Sequence, residues 1–198
     1  MNFQEAVKTL QLAVEELSKA ALFDDKTELL NSVALGQTAA VVGTGEGNPD
    51  VVIFGDLNRF KTLNDQLGHV AGDVAISAVG QLIQELLVEQ CEAKAYRRSG
   101  DEFVILLSKD KLDEFKKKVL SFGVCEFQFE GTSYNTAMSF GYAVSEGDID
   151  FADLLARAEA ACQSAKFRGD GTWVEWSSEI DRKTLLSFRE RCGKCGHR

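Results

Sequence analysis

Val51-Val52-Ile53-Phe54 constrains the fold more than any other stretch of the chain. Four consecutive apolar residues, three of them β-branched, make a run of strand length with no polar alternation. It therefore reads as a central strand covered on both faces. Gly55-Asp56-Leu57-Asn58 follows at once. A carboxylate where a buried strand emerges is held by the strand and exposed at its end, which suits it to chemistry. A second acidic feature comes later. Ala95 to Arg98 and Val104 to Leu107 read as two strands joined by Ser99-Gly100-Asp101-Glu102-Phe103, a turn with two carboxylates at its tip.

Between and around these lie helical patterns. Phe3, Val7, Leu10, Val14, Leu17 and Ala21 form a heptad seam, with Glu5, Lys8, Glu15, Glu16 and Lys19 off it. Such a seam suits a parallel helical dimer, and a helix packed on its own domain is the competing reading. Phe23 to Thr27 breaks the pattern, with Asp24 or Asp25 as N-cap for a helix that uses Leu29, Leu30, Val33, Ala40 and Val41 and ends near Val42. Gly43 to Asp50 is a glycine-rich connection. A strand rather than a helix follows it, and no Gly-Lys-Ser/Thr is present, so it is not a phosphate cradle.

Arg59 to His69 is polar and punctuated by glycine. Val70 to Val88 is expected to be an amphipathic helix with Val74, Ala78, Leu82 and Leu86 on its apolar face. Lys111 to Leu120 is expected to be a helix with Leu112, Phe115 and Val119 inward. Val124 to Phe129 and Thr136 to Val144 are expected to pair as antiparallel strands. Asp150 to Phe167 is expected to be a helix with Asp150 or Asp148 at its start, and Thr172 to Trp176 a last short strand. This order predicts an α+β fold, a mainly antiparallel central sheet covered by helices and preceded by an N-terminal helix. The expected division is 1–22 for that helix, 23–178 for the domain and 179–198 for a tail.

The chain has 198 residues, is 44% hydrophobic and contains one proline, which suits a single domain with a real core. Its net charge of −9 argues against a nucleic-acid surface, since phosphate contacts need clustered Lys and Arg. An anionic ligand would need a metal ion and local cations to offset repulsion. No apolar run reaches membrane-spanning length, and no basic segment precedes an apolar block at the N-terminus, so neither a span nor a signal peptide is expected. Cys91, Cys125 and Cys162 lie singly inside predicted elements, as suits reduced thiols in a cytoplasmic protein. Cys192, Cys195 and His197 supply three candidate zinc ligands where four are usual; a disordered end and a site shared between subunits both remain open.

If the strand ending at Asp56 lies beside the hairpin carrying Asp101, their carboxylates and a strand-end carbonyl such as that of Leu57 make an oxygen-rich site suited to Mg²⁺. Lys61, on the same segment, could then meet phosphate.

Asp56 to Asp73 resembles the D-x-D-x-F-K-x-x-N-D-x-x-G-H-x-x-G-D signature of GGDEF domains, the diguanylate cyclases. Ser99 to Phe103 stands where the GGDEF motif itself stands. Ser139 to Ala143 matches their S-x-G-x-A strand, Ala165-Lys166 their late A-K pair, and Asp25 to Asn31 echoes their D-x-L-T-G-L-x-N opening. The resemblance implies a nucleotidyl-cyclase-like palm that joins two GTP molecules into cyclic di-GMP and pyrophosphate across a homodimer. It implies Mg²⁺, or Mn²⁺, held by Asp56, the Leu57 carbonyl and Asp101. It gives Asp101, Glu102 and Lys61 to catalysis, Lys61 and Lys166 to the phosphates, and Asn64 and Asp73 to the guanine edge. His69, tempting as a general base, is expected to serve helix initiation.

The sequence also departs from that family. Ser99 replaces the first glycine, Asn58 the second acidic residue of the strand-end motif, and Asp170 an arginine after A-K-x-x-G, for which Arg168 could compensate. Glu28 and Ser32 replace a glycine and an arginine. Gln90 and Ala93 stand at the inhibitory R-x-x-D positions, so product inhibition of that type is not expected. These departures leave a degenerate, non-catalytic module that binds GTP or dimerises as the alternative.

Overall fold

A computed structural model describes residues 2–42, 49–85, 93–122, 124–147 and 149–180. The elements in order are α1 (Phe3–Leu22), α2 (Ser32–Val42), β1 (Val51–Leu57), α3 (Phe60–Leu67), α4 (His69–Ile83), β2 (Lys94–Ser99), β3 (Glu102–Leu107), α5 (Leu112–Phe122), β4 (Cys125–Phe129), β5 (Thr132–Thr136), β6 (Met138–Val144), α6 (Phe151–Arg168) and β7 (Trp173–Glu175). The main sheet runs β2-β3-β1-β6-β7, and β4 with β5 forms a separate two-stranded ribbon. Within the main sheet the β6–β7 pairing is parallel and the β2–β3, β3–β1 and β1–β6 pairings are antiparallel. The fold is the expected mainly antiparallel sheet covered by helices.

β1 is the middle strand and is buried along its whole length, as its unbroken apolar run requires. On one face Val51, Ile53 and Leu57 pack with Ile76, Val79 and Ile83 of α4 and Phe115 of α5. On the other, Val52 and Phe54 meet Ala34 and Leu35 of α2 and Leu154, Ala158 and Cys162 of α6. Two glycines permit this closeness. A Cβ on Gly55 would stand 2.8 Å from Met138 Cε, and one on Gly141 would run into the backbone of Cys162 and Ala158.

Several local expectations are corrected. α2 starts at Ser32, because Asn31 caps it: Asn31 Oδ1 accepts from the N–H groups of Val33 (3.0 Å) and Ala34 (3.1 Å). Asp24 instead closes a turn, and Leu30 bonds along the β2 edge (Leu30 N to Ala95 O 3.2 Å, Arg97 N to Leu30 O 2.7 Å). α4 buries Ala71, Ala75, Ile76, Val79 and Ile83, not the Val74/Ala78/Leu82 face, which is half-buried. Val74 and Ala78 line a groove against Phe127 of the β4–β5 ribbon, a second surface that periodicity alone did not separate from the first. β4 pairs with β5, which shares only Thr136 with the expected partner Thr136 to Val144; Met138 to Val144, β6, lies beside β1. The polar stretch after Asn58 holds a helix, α3, whose apolar residues Phe60, Leu63 and Leu67 fall at helical spacing on one face but are only half-buried.

α1 begins with a reciprocal cap: Asn2 Oδ1 accepts from Glu5 N (2.9 Å) and Glu5 Oε2 from Asn2 N (2.8 Å). Its seam residues face solvent, with Phe3 83%, Leu10 66% and Leu17 70% exposed, so the helix does not bury its heptad on its own domain. Asp150 caps α6 as expected, accepting from Asp153 N at 2.7 Å. Ile180 is buried against Ala161, Ala165 and Val174. Among the described residues no helix is long and apolar enough to cross a membrane, and Cys125 and Cys162 are free thiols. Residues 43–48, Leu86, Val88, Gln90, Cys91, Asp148, the side chain of Val119 and the tail with Cys192, Cys195 and His197 lie outside the described residues.

Candidate active site

The site forms where β1 and the β2–β3 turn end side by side. Asp56 stands opposite Glu102 in the β1–β3 register, and Leu57 N donates to Asp101 O at 3.2 Å. The strand ladder thus brings the two acidic stretches together. Next along the chain, Asn58 is turned away onto β6, its Oδ1 accepting from Ser139 Oγ at 2.9 Å.

The turn is braced from beneath. Gly100 has φ +42°, a left-handed conformation that favours glycine. Arg97 donates from Nε (3.0 Å) and Nη2 (2.9 Å) to Gly100 O, while its Nη1 donates to both Asp24 oxygens at 3.0 Å. Burial pushes the Asp24 carboxyl upward, but hydrogen bonds from Thr27 and Arg97 and the Arg97 charge outweigh it, leaving the group below its ordinary value. Ser99, at the variant position, donates from Oγ to Glu102 Oε2 at 2.7 Å.

Asp56 is almost fully buried. Burial is the main reason its carboxyl is pushed up to about 6. The Lys166 ammonium opposes that shift, and the charges of Asp101 and Glu102 add to it. Lys166, in the last turn of α6, meets Asp56 Oδ1 as an ion pair. An anion in this setting calls for a stronger cation than one half-buried lysine.

Past Asn58 the chain turns through Arg59, a left-handed non-glycine residue (φ +57°), into α3, whose first turn carries the exposed Lys61. Arg59 reaches Asp170 at 3.3 Å, so the acidic residue after α6 is paired by Arg59. Asn64, also on α3, lies against α4: a Cβ on Gly72 would run into its Oδ1, which is buried without a donor. Asp73 follows Gly72, is half exposed, and contacts Lys26 Nζ at 2.5 Å. His69 is the exposed first residue of α4.

The expected residues thus fall into two neighbouring groups. Asp56, Leu57, Asp101, Glu102 and Lys166 gather at the strand ends, and Asn64 and Asp73 pack where α3 meets α4, with Lys61 exposed on α3. Arg97, Lys26 and Arg59 were not singled out as part of the site by the sequence. Asp24, not Asp25, anchors the opening turn, and counting the motif from Asp24 puts Lys26 where the pattern has leucine. Among the described residues no three His, Cys, Asp or Glu side chains cluster tightly enough to hold a metal unaided. The donor set of Asp56, the Leu57 carbonyl and Asp101 is nonetheless all hard oxygen, the chemistry a divalent cation takes.

A family model described as "Diguanylate cyclase, GGDEF domain" matches residues 21–172. The signaling protein YkoW of Bacillus subtilis is 27% identical over 187 residues, covering 90% of this chain and 23% of that protein. The diguanylate cyclase DgcP of Pseudomonas aeruginosa is 26% identical over 175 residues, covering 85% and 26%. The chain spans about a quarter of the length of these curated relatives. A crystal structure of the coiled coil and GGDEF domain of DgcB from Caulobacter crescentus, in complex with c-di-GMP, superposes with a TM-score of 0.70 at 23% identity, over 87% of this chain and 94% of that one. That likeness fixes the fold, and with the match over 21–172 it follows that the chain belongs to the GGDEF domain family.

Proposed function

We propose that the chain is a diguanylate cyclase, condensing two GTP molecules into cyclic di-GMP with release of pyrophosphate. The observation that carries this reading is the convergence of Asp56 with the Asp101-Glu102 turn, tied by Leu57 N to Asp101 O, around a buried carboxylate that a lone lysine does not satisfy. Asp56, the Leu57 carbonyl and Asp101 would hold Mg²⁺ or Mn²⁺, and Glu102 would support them. Such an ion, when bound, neutralises triphosphate charge and polarises the phosphoryl group.

The chain's own groups do the rest. Lys166, paired with Asp56 in this structure, and Lys61 on α3 would meet the phosphates. Asn64 and Asp73 hold the base, the carboxylate accepting from guanine N1–H and N2–H. The reaction needs the 3′-hydroxyl of one bound GTP against the α-phosphorus of another. A homodimer built through the exposed α1 seam would bring two such sites face to face, with residues 1–22 as the pairing helix and 23–178 as the catalytic unit. The coiled coil named with the DgcB domain supports this reading of α1.

A second reading, a GGDEF module that binds nucleotide without turnover, is favoured by two contacts made without a ligand: Ser99 on Glu102 and Lys26 on Asp73. Incubation with GTP and Mg²⁺ over rising protein concentration, with products separated by chromatography, tests the two. Cyclic di-GMP and pyrophosphate formed at a rate steeper than linear in protein supports the cyclase; no product from a protein that still binds a non-hydrolysable GTP analogue supports the silent module.

A further inference from the structure

Lys26 and Asp73 are 47 residues apart in sequence, yet Lys26 Nζ stands 2.5 Å from Asp73 Oδ1. The backbone brings Lys26 there without help from this contact. Asp24 Oδ1 accepts from the N–H groups of Lys26 (3.2 Å) and Thr27 (3.0 Å), curling the chain into a turn. Thr27 is buried and seated on α4 at Gly80, where a Cβ would come within 2.5 Å of Thr27 Cβ. Gly80 lies two helical turns beyond Asp73, so seating the turn there leaves Lys26 alongside Asp73. The ion pair itself is 37% and 53% exposed, and pairs of that kind contribute little to stability. It is too weak to staple a turn already fixed by Asp24, Thr27 and Arg97, and weak enough to open for a ligand. Asn64, whose buried Oδ1 has no donor, packs at Gly72, the residue before Asp73.

We propose that Lys26 is a specificity-determining residue of the nucleotide site, donating to the 6-oxygen of a purine while Asp73 accepts from the neighbouring N1–H. This rests on the reading of Asn64 and Asp73 as base-binding residues. A 6-oxopurine presents an acceptor and then a donor on adjacent ring positions; Lys26 and Asp73 present a donor and then an acceptor, already side by side. A 6-aminopurine presents the reverse order. Its amino group faces the ammonium and its N1 lone pair faces the carboxylate, two like-with-like contacts in place of two bonds. A charge-assisted hydrogen bond is gained with the right base and a desolvated ammonium is left unpaired with the wrong one.

Isothermal titration of the full chain with non-hydrolysable GTP and ATP analogues in Mg²⁺ tests this, using wild type, Lys26→Met and Lys26→Arg. The expected result is that Lys26→Met weakens the GTP analogue by about tenfold. The ATP analogue is unchanged or tighter with that variant, and Lys26→Arg keeps most of the affinity for the GTP analogue. Tighter or unchanged binding of the GTP analogue by Lys26→Met overturns the proposal, the former marking Lys26 as a block on Asp73. Equal weakening of both analogues overturns it too, because a base-reading residue acts on one base. Wild type that fails to bind the GTP analogue takes down the Asp73 reading with it. Wild type that binds, beside an indifferent Lys26→Met, removes only the role of Lys26.

Discussion

At the scale of single residues, this site is a set of charges whose partners are provisional. Asp56 is the sharpest case. Its folded pKa lies above the ordinary carboxylate value, so the folded protein carries a cost that is absent below about pH 4 and fully present above about pH 6. Asp56→Asn should therefore raise the stability of the metal-free protein at pH 7, on the order of 1–2 kcal/mol, and abolish turnover. Urea unfolding at pH 7 and at pH 4 checks it, since the gain should vanish at the lower pH.

Asp24 has the opposite sign. Its pKa is lowered, so its contribution is present above the ordinary carboxylate range and lost as pH falls through the folded value. Asp24→Asn should cost about 1–3 kcal/mol at neutral pH, because Arg97 then loses its partner while still holding Gly100 O. The deficit should shrink when both proteins are unfolded in acid. Asp101 is different again: it sits at a half-buried hairpin tip, outside the core, so Asp101→Ala should lower turnover roughly a hundredfold or more with an unchanged circular dichroism spectrum.

At the scale of elements, legibility followed burial. β1 was readable because both its faces are covered, and α6 because Asp150 caps it and Phe151, Leu154, Ala158 and Cys162 line one side. α3 was not: Phe60, Leu63 and Leu67 recur at helical spacing, but the helix is eight residues long and its apolar face is only half-buried. α4 carries two apolar surfaces, one for the sheet and one for the β4–β5 ribbon, and the sequence pattern pointed to the lesser of them. The acidic residues of the site could be named from strand ends and turns, whereas the arginine under the turn and the lysine beside Asp73 could not. Their roles depend on which distant carboxylate they meet. α1 offers its own test. Deleting residues 1–20 should leave the domain folded, because the seam is solvent-exposed, and should make activity more steeply dependent on protein concentration if the helix pairs subunits.

At the scale of the molecule, the core and the site are one construction. β1 carries the core on Val51 to Phe54 and the buried carboxylate two residues later, and the same ladder that pairs Phe54 with Val104 sets Asp56 opposite Glu102. α6 is pressed against β6 at Gly141, and that close approach brings Lys166 to Asp56. Gly141→Ala should therefore cost about 1–3 kcal/mol through overpacking and loosen Lys166 as well. In the proposed reading, function depends on two carboxylates, Asp56 on β1 and Asp101 on the β2–β3 turn, acting on one cation. Paramagnetic titration with Mn²⁺ in the presence of a non-hydrolysable GTP analogue, on wild type, Asp56→Asn and Asp101→Ala, tests this most directly. The account predicts a saturable site in wild type that weakens at least tenfold in each variant; equal Mn²⁺ affinity in all three proteins would contradict it.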